Sequence, residues 1–105
     1  MNQLSDYELR IKSMDFYKEA SVGPLSFYAL GVAGEAGEVA EKVKKYYRDG
    51  NIEPKAIALE LGDVCWYVTR LANLLGFSLS EILALNVEKL ESRLARGVRR
   101  GSGDN

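Results

Sequence analysis

Four carboxylates carry the chemistry open to this chain. Between Leu25 and Ala40 (LSFYALGVAGEAGEVA) the only charged residues are Glu35 and Glu38, and between Ala56 and Thr69 (AIALELGDVCWYVT) they are Glu60 and Asp63. Helical residues three apart project from one face, so each pair makes an acidic patch on an otherwise apolar element. An ionised carboxylate in apolar surroundings costs on the order of several kcal/mol unless something compensates it. Neither stretch contains Lys or Arg, and the natural compensator is a hard cation shared between the pairs. Oxygen donors without imidazole or thiolate favour Mg²⁺ or Mn²⁺, and Mg²⁺ commonly completes its shell with water and substrate phosphates. Phosphate-ester or anhydride chemistry is the expectation.

Helices must bring these pairs together. Ser5 followed by Glu8 reads as a capping box for a first helix, expected near 6–21 and ending before Gly23. Pro24 suits the first position of a second helix, over 24–49, with Gly50 as its left-handed cap. Pro54 opens a third over 54–75, closed by Gly76, and Ser78 with Glu81 caps a fourth over 79–96. The expected fold is all-α, a four-helix antiparallel bundle forming one domain over 1–97, with a flexible tail over 98–105. A rise of about 1.5 Å per residue puts the two acidic pairs within roughly 3 to 8 Å in height on an antiparallel hairpin. Helices two and three are apolar over more than one stripe. A unit this small can hardly cover both, so part of that surface is expected to lie between subunits. Gly31, Gly34 and Gly37 each cost about 1 kcal/mol inside a helix relative to Ala, which close approach of a neighbouring helix would offset.

Composition removes several function classes. Histidine is absent from the 105 residues, which excludes His-dependent triads, His-ligated zinc and His–carboxylate di-iron sites. A net charge of −1 is wrong for a general nucleic-acid surface. The single cysteine, Cys65, cannot form an internal disulfide and reads as a buried, inert thiol. No signal peptide or membrane-spanning run is visible, and a cytoplasmic location without membrane partners is the default.

The fourth helix supplies a possible counterpart to the acids. Asn86, Lys89 and Arg93 share one face by their i, i+3, i+7 spacing and could hold the outer phosphates of a polyphosphate. Phe16, Tyr17, Phe27, Tyr28 and Trp66 are available to stack on a base.

The segments YALGVAGEAGEVAEKVKK, ALELGDVCWYVTRLANLLG and LNVEKLESR together resemble the MazG-type nucleotide pyrophosphohydrolases of the all-α NTP-pyrophosphatase superfamily. The resemblance covers roughly residues 24–97. It rests on E-x-x-E, a spacer of 21 residues and E-x-x-D, with glycines before Glu35 and Glu38 and a later N-x-x-K-L-x-x-R. The ending RGVRRGSGDN is similar to that of short single-domain members, including ones carried by phages. The resemblance implies Mg²⁺-dependent cleavage of a nucleoside triphosphate between the α and β phosphates, yielding a monophosphate and pyrophosphate. Glu35, Glu38, Glu60 and Asp63 would ligate the metal, Mn²⁺ serving as a substitute. Glu35 or Glu38 would accept the proton of the attacking water, and Asn86, Lys89 and Arg93 would steady the phosphates. It also implies a dimer or tetramer with sites built across subunit contacts. A dUTP- or dCTP-selective diphosphatase of the same superfamily, and a non-enzymatic cation-binding helical assembly module, are the alternatives.

Overall fold

Proline and glycine punctuation sets the helix boundaries in the computed structural model, which describes residues 3–15, 17 and 23–97. Four helices follow one another: α1 Gln3–Lys12, α2 Pro24–Asp49, α3 Pro54–Leu74 and α4 Leu79–Ala95. Among the described residues there is no strand, in keeping with the all-α expectation. Pro24 and Pro54 stand at the starts of α2 and α3, where a missing N–H forfeits no helical bond. Gly50 ends α2 at φ 79°, donating its N–H to the Tyr46 carbonyl. Ser78 and Glu81 complete a reciprocal box at the start of α4. The Glu81 N–H donates to Ser78 Oγ at 3.1 Å and the Ser78 N–H to Glu81 Oε1 at 2.9 Å.

The first helix is shorter than its spacing predicts. It begins at Gln3, so Ser5 lies inside the first turn, and it ends at Lys12. The chain then turns so that Asp15 meets donors on α2 and α3, a long-range bond set that outcompetes helix propagation. Phe16, residues 18–22 and the 98–105 tail lie outside the described residues.

Helices α2 and α3 form the hairpin that positions the acids. Joined across Gly50–Glu53, they run antiparallel. Lys45 borders the same recess as Glu53, Glu35 meets Glu60 and Asp63, and Tyr28 meets Trp66. The chain axis then swings by 94° between α3 and α4. Among the described residues α4 packs against α1 and α3 but not α2, and α2 packs on α3 alone.

This splayed arrangement leaves much apolar surface uncovered. Among the described residues Ile11, Tyr28 and Ala72 are the buried apolar ones, whereas Leu30, Leu59 and Leu61 are 65%, 63% and 50% exposed. The radius of gyration is 16.4 Å, against about 13 Å for a compact chain of 100 residues. Cys65, expected to be buried, is exposed. No single helix among the described residues is long and apolar enough to cross a membrane.

Candidate metal and nucleotide site

Three of the four motif acids converge. One carboxylate oxygen from each of Glu35, Glu60 and Asp63 lies within 4.8 Å of the others. The antiparallel register accounts for this: Glu35 projects from α2 at the height where Glu60 and Asp63, one helical turn apart, project from α3. Glu35 and Glu60 are half-buried and Asp63 is exposed. Burial, followed by the charges of Asp63, Glu60 and Glu38, pushes the Glu35 carboxyl above its ordinary value. None of the three acids takes part in the ion pairs formed among the described residues. A cluster of hard oxygen donors carrying mutual repulsion fits a divalent cation such as Mg²⁺.

Glu38 stands apart from this group. It is exposed, one turn further along α2, and its charge reaches Glu35 only as the smallest of that residue's perturbations.

A cleft of about 310 Å³ opens beside the acids, lined by Glu35, Asp63, Trp66 and Tyr67. Tyr67 was not among the aromatic residues expected to meet a base. Its spacing from Glu60 and Asp63, seven and four residues, places it on their face of α3 and was the available signal. The Tyr67 ring lies over Gly31 of α2, where any Cβ would overlap its edge. This explains one glycine of the recurring three; Gly34 and Gly37 have open space beside them among the described residues. Burial, then the Glu35 and Asp63 charges, raise the Tyr67 phenol above its usual pKa.

Behind this wall the rings continue without a break. Trp66 and Tyr67 meet edge-on at 5.0 Å between centroids, Phe27 approaches Tyr67 at 6.0 Å, and Tyr17 sits 5.1 Å from Phe27. Of the expected stacking residues that are described, Trp66 alone lines the cleft. Tyr28 is buried behind it, and Tyr17 and Phe27 form the back of the cluster.

The fourth-helix trio is not brought to the acids of its own chain. Lys89 borders a separate recess of about 360 Å³ with Leu85, Glu88, Ser92 and Arg96, all on or just beyond α4. Asn86 is exposed and Arg93 is buried, at 9% exposure. Asp63 lies about 17 Å before the end of α3 and Lys89 about 15 Å along α4 at the helical rise. With the 94° turn between the axes, they stand on the order of 20 Å apart, beyond the reach of a lysine side chain.

Three acids that meet on a helical hairpin, with an aromatic cleft beside them, give this all-α fold a site that a divalent cation would fit. The chain matches the MazG nucleotide pyrophosphohydrolase domain over residues 25–97, and it belongs to that family. A relative, the Gene 37 protein of Mycobacterium phage L5, is 50% identical over 90 residues, spanning 81% of this chain and 79% of the phage protein. No solved structure matches.

Proposed function

We propose that this chain hydrolyses nucleoside triphosphates, probed best as the (d)NTPs, between the α and β phosphates to a monophosphate and pyrophosphate, with Mg²⁺ as cofactor and Mn²⁺ as a substitute. The observation that carries this reading is the meeting of Glu35, Glu60 and Asp63 within 4.8 Å on the hairpin of a MazG-family domain.

Glu35, Glu60 and Asp63 would hold the cations, with Glu38 closing the site from the next turn of α2. Bound there, divalent ions would polarise the α-phosphate, lower the pKa of the attacking water and neutralise charge on the departing pyrophosphate. Glu38, exposed and outside the converged group, would take the proton of the attacking water. The water oxygen bonds to the α-phosphorus as the bond to the α–β bridging oxygen breaks, and the electron pair leaves with pyrophosphate. Trp66 and Tyr67 would lie against the base, since an aromatic face stacks on any nucleobase.

Asn86 and Lys89 would grip the β and γ phosphates bound to the acids of a second subunit, with Arg93, buried in its own chain, supporting α4 beneath them. Their distance from the acids of their own chain and the uncovered leucines of α2 and α3 support this two-subunit site, in a dimer or a pair of dimers. The free, exposed thiol of Cys65 suits a reducing cytoplasmic setting.

The test is a panel of canonical and modified (d)NTPs with Mg²⁺, scored for pyrophosphate against orthophosphate. Pyrophosphate release that a chelator abolishes is the expected result, and release of orthophosphate alone sinks the α–β assignment. If neither product appears while Mg²⁺ still binds, the chain is a cation-binding assembly module instead.

A further inference from the structure

Outside the acid motif, one carboxylate gathers three segments of the chain. Asp15, just beyond α1, accepts hydrogen bonds from Tyr28 Oη at 2.5 Å, Arg70 Nε at 2.7 Å and the Tyr17 N–H at 2.9 Å. The Asp15 and Arg70 side chains are only 16% and 17% exposed. Arg70 donates a further bond to Asn73 Oδ1 at 3.1 Å, which leaves Asp15 as its sole anionic partner among the ion pairs of the described residues.

The position of this knot gives it a bearing on the cleft. Arg70 follows Asp63 by seven residues and Tyr67 by three, so it continues the face of α3 that carries both. Tyr28 and Tyr17, the other two donors, belong to the ring cluster that backs Trp66 and Tyr67. Charge-assisted bonds to a carboxylate are shorter and about twice as strong as neutral ones, and removing one member of a shielded ion pair leaves the other charge uncompensated. The knot therefore sets where the back of the aromatic wall sits, without touching the acids.

We propose that Asp15, acting through Arg70 and Tyr28, is a positioning residue for the nucleoside end of the ligand: it locks the Tyr17–Phe27–Tyr28 rings behind Trp66 and Tyr67 and so governs nucleoside affinity while leaving phosphate and metal binding untouched. The proposal rests on the reading that a nucleotide occupies the cleft.

The test compares wild type with Asp15→Ala, using whichever of the four canonical dNTPs wild type cleaves fastest. KM is expected to rise about tenfold, equivalent to about 1.4 kcal/mol, with kcat held within about threefold. Inhibition by pyrophosphate with Mg²⁺ should not move. Trp66, the single tryptophan, reports binding of the corresponding deoxynucleoside monophosphate by fluorescence, and that affinity should fall by the same factor. Should Asp15→Ala not fold, Tyr28→Phe keeps the ring and loses the hydroxyl, with an expected rise in KM of about threefold.

Unchanged KM and unchanged monophosphate affinity overturn the proposal, and so does a matching loss of pyrophosphate inhibition, which would mark general loosening. A wild type that binds no monophosphate overturns it as well. Wild type that releases no pyrophosphate from any (d)NTP defeats the proposed reaction instead; the monophosphate titration, run then with all four canonical forms, needs no turnover and still decides the role of Asp15.

Discussion

The aromatic ring of Tyr67 on α3 rests directly on the backbone of Gly31 on α2, in space that a Cβ would occupy. That contact fixes one wall of the cleft four residues before Glu35 on one helix and four after Asp63 on the other. The cost of a helical glycine is thus exchanged for a defined ring position beside the acids.

Gly31→Ala sets two terms against each other. Alanine gains about 1 kcal/mol of helix propensity, while displacing a packed ring costs about 1–3 kcal/mol. Net destabilisation of about 1 kcal/mol is expected in urea unfolding, together with weaker nucleotide binding read by Trp66 fluorescence. Gly34→Ala is the comparison, since nothing among the described residues lies within 4 Å of a Cβ there. Equal stability and equal binding in the two variants would show that the ring has another place to go.

The acids divide into three that converge and one that does not, and their variants should divide likewise. Glu60→Gln or Asp63→Asn removes a ligand from a cluster already within 4.8 Å. Mg²⁺ affinity and pyrophosphate release should both fall, the latter by about a hundredfold or more, since metal-supplied charge stabilisation is worth several kcal/mol. Glu38→Gln should abolish turnover as well while keeping the helical circular dichroism signal and more of the Mg²⁺ affinity, as read by calorimetry. A Glu38→Gln protein with most of its activity would remove that residue from the reaction.

The acid pairs were legible because no other charge falls between Leu25 and Ala40 or between Ala56 and Thr69, and the hairpin because Pro24, Gly50 and Pro54 bracket it. The Asp15 knot was not legible. Asp15 lies in an aperiodic stretch, and its partner Arg70 is 55 residues away, so no local pattern links them. Tyr67 was missed for another reason: aromatic residues in an apolar run look alike until a neighbour without a Cβ selects one. The spacing of Asn86, Lys89 and Arg93 identifies a shared helix face but carries no information on the 94° turn that takes that face away from the acids.

Glu35 and Asp15, whose carboxyls are shifted in opposite directions, predict opposite pH responses of the metal-free protein. Glu35 has its pKa raised by burial and by Asp63, Glu60 and Glu38; its contribution to stability is present below the ordinary Glu value and is lost as pH rises through the raised one. For Asp15, burial pushes upward, but hydrogen bonds from Tyr28, the Tyr17 N–H and Arg70 outweigh it and hold the carboxyl below its ordinary value. Its contribution is present above the ordinary Asp value and is lost as pH falls through the depressed one. In chelator, the melting temperature should decline as pH rises just above the ordinary Glu range, and Glu35→Gln should flatten that decline. Loss of stability on the acid side should be reduced in Asp15→Asn. Added Mg²⁺ should cancel the Glu35 effect, because a bound cation favours the ionised acid. A high-pH limb unchanged in Glu35→Gln would mean that the acids do not repel one another.

The separation of Lys89 from the acids of its own chain makes the two-subunit site testable by mixing. Glu60→Gln lacks working acids and Lys89→Ala lacks the phosphate grip, so each alone should release little pyrophosphate. In a dimer whose sites pair the acids of one subunit with α4 of the other, a mixed pair has one site with both defects and one with neither. After unfolding and refolding together in equal amounts, half of the dimers are mixed and about a quarter of wild-type activity should return. A site built within one chain cannot complement in this way, since every copy carries a defect. Mixtures no more active than the separate variants, with exchange of subunits verified by a mass tag, would return Lys89 to its own chain or remove it from the reaction.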